Sequence, residues 1–274
     1  MQIPINGLST RVELDGAANK PVVMFSHSLA QDLCMWDPQV RLLAPRYRTL
    51  RYDTRGHGGT QRPTSSFSVE DLADDVAAIL ASLDIPRVHF VGLSMGGMIG
   101  QALALKYPQL VGKLVLSNTL SAYGPESAPM WQERIDAASG PDGMEPLVEP
   151  TVTRWFTEPF RRTESEVIEW VRSLIRRTSV DGFTQCCRAL MKLGLTEQLP
   201  TIQAPTLVIA GRQDPTTTVV GAQIIAAGIP AARLEVIENA AHISNIEQPQ
   251  IFGGLLLDFL AQEGIAQGNR SYER

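Results

Sequence analysis

Residues 87–100 read RVHFVGLSMGGMIG, and this stretch decides the fold. An apolar, strand-forming run leads into GLSMG at positions 92–96 and then directly into a helix-forming run. A G-x-S-x-G pattern between a strand and a helix is typical of a sharp turn that exposes a serine hydroxyl. Small residues two positions to either side of the serine let the two backbones pass each other. The stretch therefore predicts Ser94 as a nucleophile at the carboxyl end of a buried strand.

Three other interpretations of this glycine-rich stretch have to be weighed. The pattern could arise by chance, or it could be a structural turn in an inactive relative. A dinucleotide-binding loop is disfavoured, because Ser94 stands where G-x-G-x-x-G requires its second glycine. That fingerprint also expects an acidic residue about 20 positions later, and position 114 is leucine. The partner residues of a serine nucleophile decide between these interpretations.

A serine hydroxyl needs a base to take its proton, and histidine is the usual one. The chain has four histidines: His27, His57, His89 and His242. His242 lies in NAAHIS, just after the predicted last strand, and Asp214 lies in GRQDP after another strand. The order Ser94, Asp214, His242 matches the chain order of triads in the α/β-hydrolase fold. We therefore expect Asp214 to orient the His242 imidazole, which acts as the base.

A tetrahedral intermediate requires two N–H donors for its oxyanion. The backbone N–H of Met95, directly after the nucleophile, is expected to be one of them. The second is expected from the loop after the strand that ends in FS, where Leu29 is the candidate. His27 lies in the same loop and is expected to shape it and to border the substrate pocket.

Short strand-forming runs alternate with helical patterns along the chain, which favours a mostly parallel central sheet flanked by helices. The predicted strands are Arg11–Leu14, Pro21–Ser26, Tyr47–Asp53, Arg87–Gly92, Lys113–Asn118, Pro205–Gly211 and Arg233–Glu238. The predicted helices of this part are Ser68–Leu83, Ser94–Tyr107 and Gln250–Leu260. The pattern belongs to the α/β class, specifically to an α/β-hydrolase fold.

The alternation stops between residues 121 and 199, where no strand pattern is found. Amphipathic segments instead predict four helices: Ala128–Ala138, Met144–Phe156, Glu164–Arg177 and Gly182–Lys192. We expect residues 121–199 to form an all-helical cap over the carboxyl edge of the sheet. Residues 1–120 and 200–274 would then form the α/β-hydrolase core, with a frayed end at Gln262–Arg274.

Composition limits the function classes. The 274 residues carry a net charge of −5, with 44% hydrophobic and 19% charged residues. This charge gives no reason to expect nucleic acid or an anionic membrane as a partner. No signal peptide and no run long enough to span a bilayer is visible, so a cytoplasmic protein is expected. Cys34, Cys186 and Cys187 have no metal-ligand spacing, so free thiols and no metal or other cofactor are expected. The oligomeric state stays open.

Several segments resemble the 3-oxoadipate enol-lactonases, also called β-ketoadipate enol-lactone hydrolases, of the α/β-hydrolase superfamily. The matching segments, spread over most of the chain, are SHSLAQDLCMWDPQ, RYDTRGHGGT, GLSMGGMIGQ, RWFTEPFR, QCCRAL, PTLVIAGRQDP and AAHISNIEQPQ. The chain departs from the family pattern at His27, Ala30 and Gln31, at Gly59-Thr60, and in RALMKLGLTE. These positions are expected near the oxyanion loop and under the cap, where the fit of the substrate is decided.

The resemblance implies a lactone substrate that carries a carboxylate, and a ring-opening reaction through an acyl-enzyme on Ser94. A cationic group in the cap would favour such a substrate. The arginines available there are Arg134, Arg154, Arg161, Arg162, Arg172, Arg176 and Arg177. Arg154 is singled out because Trp155, a candidate wall of the pocket, adjoins it.

Three other functions stay open at this point. A carboxylesterase for small or aromatic esters would use the same residues. A cofactor-free perhydrolase would use the same triad, with peroxide attacking the acyl-enzyme. A ligand receptor that retains the fold without catalysis is the non-enzymatic alternative.

Overall fold

The computed structural model describes residues 1–230 and 232–262, and its centre is an eight-stranded sheet. The strands are β1 (Gln2–Ile5), β2 (Leu8–Asp15), β3 (Val22–Ser26), β4 (Arg48–Tyr52), β5 (Val88–Leu93), β6 (Val111–Ser117), β7 (Thr206–Gly211) and β8 (Ala232–Ile237). Their order across the sheet is β1-β2-β4-β3-β5-β6-β7-β8. Only the β1–β2 and β2–β4 pairs are antiparallel, and the other five are parallel. The predicted α/β-hydrolase architecture is confirmed.

Eleven α-helices accompany the described strands. They are α1 (Asp37–Leu43), α2 (Val69–Ser82), α3 (Met95–Lys106), α4 (Ala128–Ser139), α5 (Glu145–Trp155), α6 (Glu158–Thr163), α7 (Ser165–Arg177), α8 (Val180–Leu190), α9 (Val219–Gly228), α10 (Ser244–Glu247) and α11 (Pro249–Ala261). The predicted start of α2 is confirmed, because Ser68 and Asp71 form a reciprocal capping box. None of the helices in the described ranges is long and apolar enough to cross a membrane.

The central strands are buried on both faces, as their continuous apolar sequences predict. All six residues of TLVIAG in β7 are buried, and so are four of the five residues of VVMFS in β3. β5 lies between β3 and β6 at the middle of the parallel part of the sheet. Ser94, directly after β5, therefore stands at the centre of the carboxyl edge.

The N-terminal hairpin was not predicted. β1 pairs with β2 in antiparallel register across a two-residue turn at Asn6-Gly7. Asn6 has φ 47° and Gly7 has φ 82°, the left-handed conformation that favours this dipeptide in tight hairpins. The Asn-Gly turn signal was present in the sequence, but β1 is only four residues long and two of them are exposed, so its apolar pattern is weak.

Residues 121–199, called the helical insertion below, connect β6 to β7 and contain α4 to α8. The two ends of this segment pair with each other, because Ala122 and Gly194 form an isolated antiparallel bridge. Within the segment α4 packs against α8, and α5 packs against α7. The four helices predicted here are present, and α6 is an additional short one. Residues 263–274, part of the second core segment predicted from the sequence and of its frayed end, lie outside the described residues.

Gly96 is required where α3 passes the end of β3, and its substitution tests this close approach. A Cβ atom on Gly96 would lie 2.1 Å from Ser26 O. We expect Gly96→Ala to lower the free energy of unfolding by about 1–3 kcal/mol through overpacking, measured by denaturant titration. Gly254→Ala is the matched control, because a Cβ there meets nothing within 4 Å. It should raise stability by roughly 0.5–1 kcal/mol through helix propensity. Equal effects at both positions would contradict the close approach.

Candidate active site

Ser94 occupies a strained turn between β5 and α3. Its backbone angles are φ 56° and ψ −116°, a conformation that a residue with a Cβ rarely adopts. Two hydrogen bonds hold the turn: Ser94 N donates to Ser117 O at 2.9 Å, and Thr119 Oγ1 donates to Ser94 O at 2.7 Å. The side chain of Ser94 lines a cavity between the sheet edge and the helical insertion. The strand-to-helix turn predicted for G-x-S-x-G is thus present.

His242 and Asp214 form a buried pair on the loops that follow β8 and β7. His242 Nδ1 lies 2.9 Å from Asp214 Oδ2. Asp214 also accepts hydrogen bonds from Asn118 Nδ2 at 2.9 Å and from Thr217 Oγ1 at 2.6 Å. The N–H groups of Thr216 and Thr217 donate to its second oxygen at 2.8 and 3.0 Å. Five donors therefore converge on this one carboxylate.

These contacts keep Asp214 ionised. Burial raises the pKa of Asp214, but the charge of His242 and the hydrogen bonds from His242, Thr217 and Asn118 outweigh it and lower the pKa to about 2. An ionised carboxylate only accepts, so the proton in the contact with His242 must be on Nδ1. In the neutral form of His242, Nε2 then carries the lone pair that a base requires. Asn118 was not singled out from the sequence, since a side chain's contact with a residue 96 positions away leaves no local pattern. Thr217 is only three residues from Asp214, but it stands among three consecutive threonines that the sequence does not distinguish.

Ser94 and His242 line the same cavity. The hydrogen bonds found among the described residues do not include one between Ser94 Oγ and His242 Nε2. Such contacts are often long or poorly aligned in enzymes until substrate binds. The three residues predicted as a triad are therefore brought together at one edge of the sheet, with the Asp–His contact formed.

Leu29 lies in the loop after β3 and lines the cavity together with Ser28 and Ala30. Met95 is the first residue of α3, and the first N–H groups of a helix have no partner within the helix. Ala30 has φ 58°, an unusual conformation for a residue with a Cβ. Its N–H donates to His57 Nε2 at 3.1 Å, which holds the loop in place. Leu29 and Met95 thus come from the two segments expected to supply oxyanion donors.

His27 does not border the pocket, contrary to the prediction. Its ring is fully buried and is not part of the cavity wall. Nε2 accepts the N–H of Thr54 at 2.8 Å, so Nδ1 donates to Ser28 O at 2.8 Å. Both ring nitrogens are used within the protein, and the ring therefore braces the loop from behind. The sequence placed His27 in the correct loop but did not reveal the direction of its side chain.

His57 is a second buried histidine behind the same loop. Burial, followed by the neighbouring His27, lowers the pKa of His57 to about 3, so the ring is neutral near pH 7. Nδ1 donates to Arg55 O at 3.0 Å, which leaves Nε2 free to accept the Ala30 N–H. A positively charged His57 could not accept this bond. The neutral ring is thus a fixed hydrogen-bond acceptor for the loop that carries Leu29.

The cavity wall combines apolar side chains with a few polar groups. Aromatic, aliphatic and sulfur-containing side chains form most of it: Leu29, Tyr123, Trp131, Met144, Leu147, Trp155, Ile175, Phe183 and Leu190. Trp155 lies nearly parallel to the His242 ring, with centroids 6.2 Å apart and planes at 29°. The expectation that Trp155 walls the pocket thus agrees with its position. The helical insertion supplies most of these side chains and so shapes the cavity.

Two guanidinium groups of the helical insertion also line the cavity. Arg134, on α4, lies over the Trp131 ring with its Cζ 4.9 Å from the centroid. Arg154, on α5, donates to Thr151 Oγ1 at 3.3 Å. Burial, followed by repulsion from Arg134, lowers the pKa of Arg154 to about 10, so it remains charged near pH 7. Within residues 1–230 and 232–262, neither arginine has a carboxylate oxygen within 4.0 Å.

Arg154 therefore lines the cavity as expected, and Arg134 joins it although its sequence surroundings did not distinguish it from the other arginines. The described ranges contain no group of three or more His, Cys, Asp or Glu residues that could hold a metal ion. Among the described residues, Arg134 and Arg154 therefore give the cavity a positive charge that an anionic ligand could bind.

Comparison with known proteins agrees with this arrangement. Residues 21–249 match the model of the α/β-hydrolase fold family. The chain is 39% identical over 237 residues to 3-oxoadipate enol-lactonase 2 of Acinetobacter baylyi, covering 86% of this chain and 87% of the relative. It is 35% identical in sequence to the enol-lactonase from Burkholderia xenovorans, whose crystal structure matches it with a TM-score of 0.92. That match covers 96% of this chain and 100% of the enol-lactonase.

A third relative is a thermophilic esterase from Thermogutta terrifontis whose structure has malate bound. It is 26% identical, has a TM-score of 0.88, and the match covers 95% of this chain and 97% of the esterase. The order of the strands in the sheet and the turn at Ser94 indicate the same fold as the match to the family model. The chain belongs to the α/β-hydrolase fold family and, within it, is similar to the 3-oxoadipate enol-lactonases.

Proposed function

We propose that this chain is a serine hydrolase that opens a lactone bearing a free carboxylate, similar to 3-oxoadipate enol-lactone. One observation carries the proposal: a single cavity is lined by Ser94, by His242 and by the two guanidinium groups of Arg134 and Arg154. Oxoadipate is a dicarboxylate, so its enol-lactone uses one carboxyl group in the ring and keeps the other as an anion. The nucleophile would act on the first, and the arginines would bind the second.

In the first half of the reaction, His242 Nε2 takes the proton of Ser94 Oγ as this oxygen attacks the lactone carbonyl carbon. The carbonyl oxygen becomes an oxyanion that accepts hydrogen bonds from the N–H groups of Leu29 and Met95. When the tetrahedral intermediate collapses, the ring C–O bond breaks and His242 returns the proton to the leaving enol oxygen. The opened chain remains attached to Ser94 as an ester.

In the second half, a water molecule gives a proton to His242 and attacks the acyl carbon through the same oxyanion site. The bond to Ser94 Oγ breaks, the serine regains its proton from His242, and the ring-opened acid leaves. The ionised Asp214 stabilises the imidazolium form of His242 in both halves and holds Nδ1 in place. Every proton in this cycle passes through one histidine, so no cofactor is needed.

A carboxylesterase acting on small or aromatic esters is the second candidate. The largely apolar wall of the cavity and the similarity to the thermophilic esterase favour it. Lactone hydrolysis and ester hydrolysis share the same chemical steps, and they differ in which part of the substrate the cavity wall binds. The two arginines distinguish them, because a neutral ester gains little from a cationic site while an anionic lactone gains a charge-assisted hydrogen bond.

The nucleophile is tested with Ser94→Ala. We expect the variant to retain its unfolding temperature and to lose turnover of both enol-lactone and p-nitrophenyl acetate by roughly 10⁴-fold or more. Initial rates with the two substrates, together with thermal unfolding, are the measurements. A folded Ser94→Ala protein that retains turnover within about tenfold of wild type would contradict the proposal, because oxyanion and binding contributions alone leave far less. Turnover of the ester without the lactone would favour the esterase.

The anion site is tested with Arg154→Met and Arg134→Met. Each variant should lower kcat/KM for the enol-lactone by about 10- to 100-fold, since a hydrogen bond to a charged group contributes roughly 1.5–3 kcal/mol. Turnover of p-nitrophenyl butyrate should change by less than about threefold, because this ester has no anionic group for an arginine to bind. Arg162→Met is the matched control on an exposed position of the helical insertion. Equal losses on both substrates would argue against recognition of the carboxylate.

The role of His57 in bracing the oxyanion loop is tested with a pair of variants. His57→Leu removes the acceptor for the Ala30 N–H and should reduce kcat by about 10-fold or more, because removing one oxyanion donor outright costs on the order of 10²–10³. His57→Gln retains a side-chain acceptor and should recover part of that loss. KM should stay close to wild type in both. If the two variants have the same kcat, the acceptor at position 57 does not position the loop.

A further inference from the structure

The helical insertion is joined by hydrogen bonds to the loop that carries His242. Ile243, the next residue along the chain, donates its N–H to Trp155 O at 3.1 Å. Trp155 also lies nearly parallel to the His242 ring. The last residue of α5 therefore meets this loop twice: its backbone binds Ile243, and its ring lies beside the candidate base His242.

A buried carboxylate makes the second connection. Glu247, at the end of α10, accepts the N–H of Ala241 at 2.7 Å on Oε2. Its Oε1 accepts the N–H of Thr157 at 2.9 Å and the hydroxyl of the same residue at 2.5 Å. Ala241 precedes His242, and Thr157 lies between α5 and α6. One side chain thus bridges the loop of the base and the helical insertion.

The surroundings of Glu247 make this bridge an unusual use of a charged residue. Glu247 as a whole residue is only 5% exposed, and burying an ionised carboxylate is costly. Among the described residues, no Lys, Arg or His nitrogen lies within 4.0 Å of it. The carboxylate is therefore stabilised by three hydrogen-bond donors from two segments. Thr157 supplies two of them and is 90 residues away in sequence, and Ala241 supplies the third and is 6 residues away. The arrangement is stable only while both segments hold their relative positions.

We propose that Glu247 is a positioning residue for His242, acting through Ala241 and tying the position of the base to that of the helical insertion. The inference rests on the proposed function, in which His242 moves every proton. Residues on both sides of His242 are held from the helical insertion, Ala241 through Glu247 and Ile243 through Trp155. A shift of the helical insertion would therefore move the base as well as the pocket wall.

Glutamine cannot replace Glu247 in this role, although it has nearly the same shape. A carboxylate accepts hydrogen bonds on both oxygens, whereas an amide has one acceptor oxygen and one NH₂ donor. In either orientation of the amide, the NH₂ group faces a backbone N–H, of Thr157 or of Ala241. That N–H group then has no acceptor, so one of the two backbone hydrogen bonds that join the Ala241–Ile243 loop to the helical insertion is lost.

Glu247→Gln tests the proposal with p-nitrophenyl acetate, a small neutral ester that needs few contacts with the helical insertion. We expect kcat to fall by about 10- to 100-fold, because a misplacement on the order of 1 Å costs about 100-fold. KM should stay within about threefold of wild type, the pattern of a lost transition-state interaction. The rates are measured well below the unfolding temperature of the variant, where a purely stabilising residue leaves kcat unchanged.

Thr157→Val gives a second test that leaves Glu247 in place. It removes the hydroxyl donor and should lower kcat by about threefold or more. The double variant Thr157→Val/Glu247→Gln should have the same kcat as Glu247→Gln, as expected for residues that act through one contact. Additive losses in the double variant would overturn the proposal. If Glu247→Gln does not fold, Thr157→Val decides alone, and an unchanged kcat overturns the positioning role.

Glu158→Gln is the matched control, since it removes the same charge from an exposed residue next to Thr157; it should keep wild-type kcat and KM. Ser94→Ala is measured alongside to separate the two levels of the argument. If wild type hydrolyses the ester no faster than Ser94→Ala, the proposed function fails and this inference with it. If Ser94→Ala is inactive while Glu247→Gln keeps wild-type kcat, the positioning role of Glu247 alone is wrong.

Discussion

The close approach between the end of β5 and the first turn of α3 is the constraint on which the rest of the site depends. A Cβ atom on Gly92 would lie 2.1 Å from Gly96 O, and one on Gly96 would lie 2.1 Å from Ser26 O. Only glycine lets the strand turn so sharply into the helix. This turn forces Ser94 to φ 56°, and it brings the helix terminus against the loop after β3. The candidate nucleophile and both candidate oxyanion donors thus owe their positions to one backbone crossing.

Buried polar groups hold the loops around this crossing. Two buried histidines behind the loop after β3 accept backbone N–H groups, which lets a loop with a strained Ala30 keep one conformation. Asp214 receives five donors, and Glu247 receives three. Satisfied polar networks of this kind specify a unique geometry at a cost in stability. The proposed reaction must align a serine, a histidine and two N–H groups, and that cost would be the expected exchange for fixed distances.

The helical insertion has two connected roles in this picture. It supplies most of the apolar wall and both guanidinium groups of the cavity, and it is hydrogen-bonded to the loop of His242. In the proposed reaction, the segment that selects the substrate would therefore also hold the base. The chain's similarity to both enol-lactonases and an esterase is consistent with chemical steps that stay the same while the insertion changes.

The sequence by itself determined the sheet, the turn at Ser94 and the order of Ser94, Asp214 and His242, because strands and turns follow from local patterns of apolar residues and glycine. It did not reveal β1, because two of the four residues in this strand are exposed and its apolar pattern is weak. It placed His27 in the right loop but turned it toward the pocket, since the direction of a buried ring is set by partners such as Thr54. Arg154 was singled out because Trp155 adjoins it, but tertiary structure alone decided that Arg134 also lines the cavity and what Glu247 contacts. Those choices depend on how distant segments pack, which leaves no periodic trace in the chain.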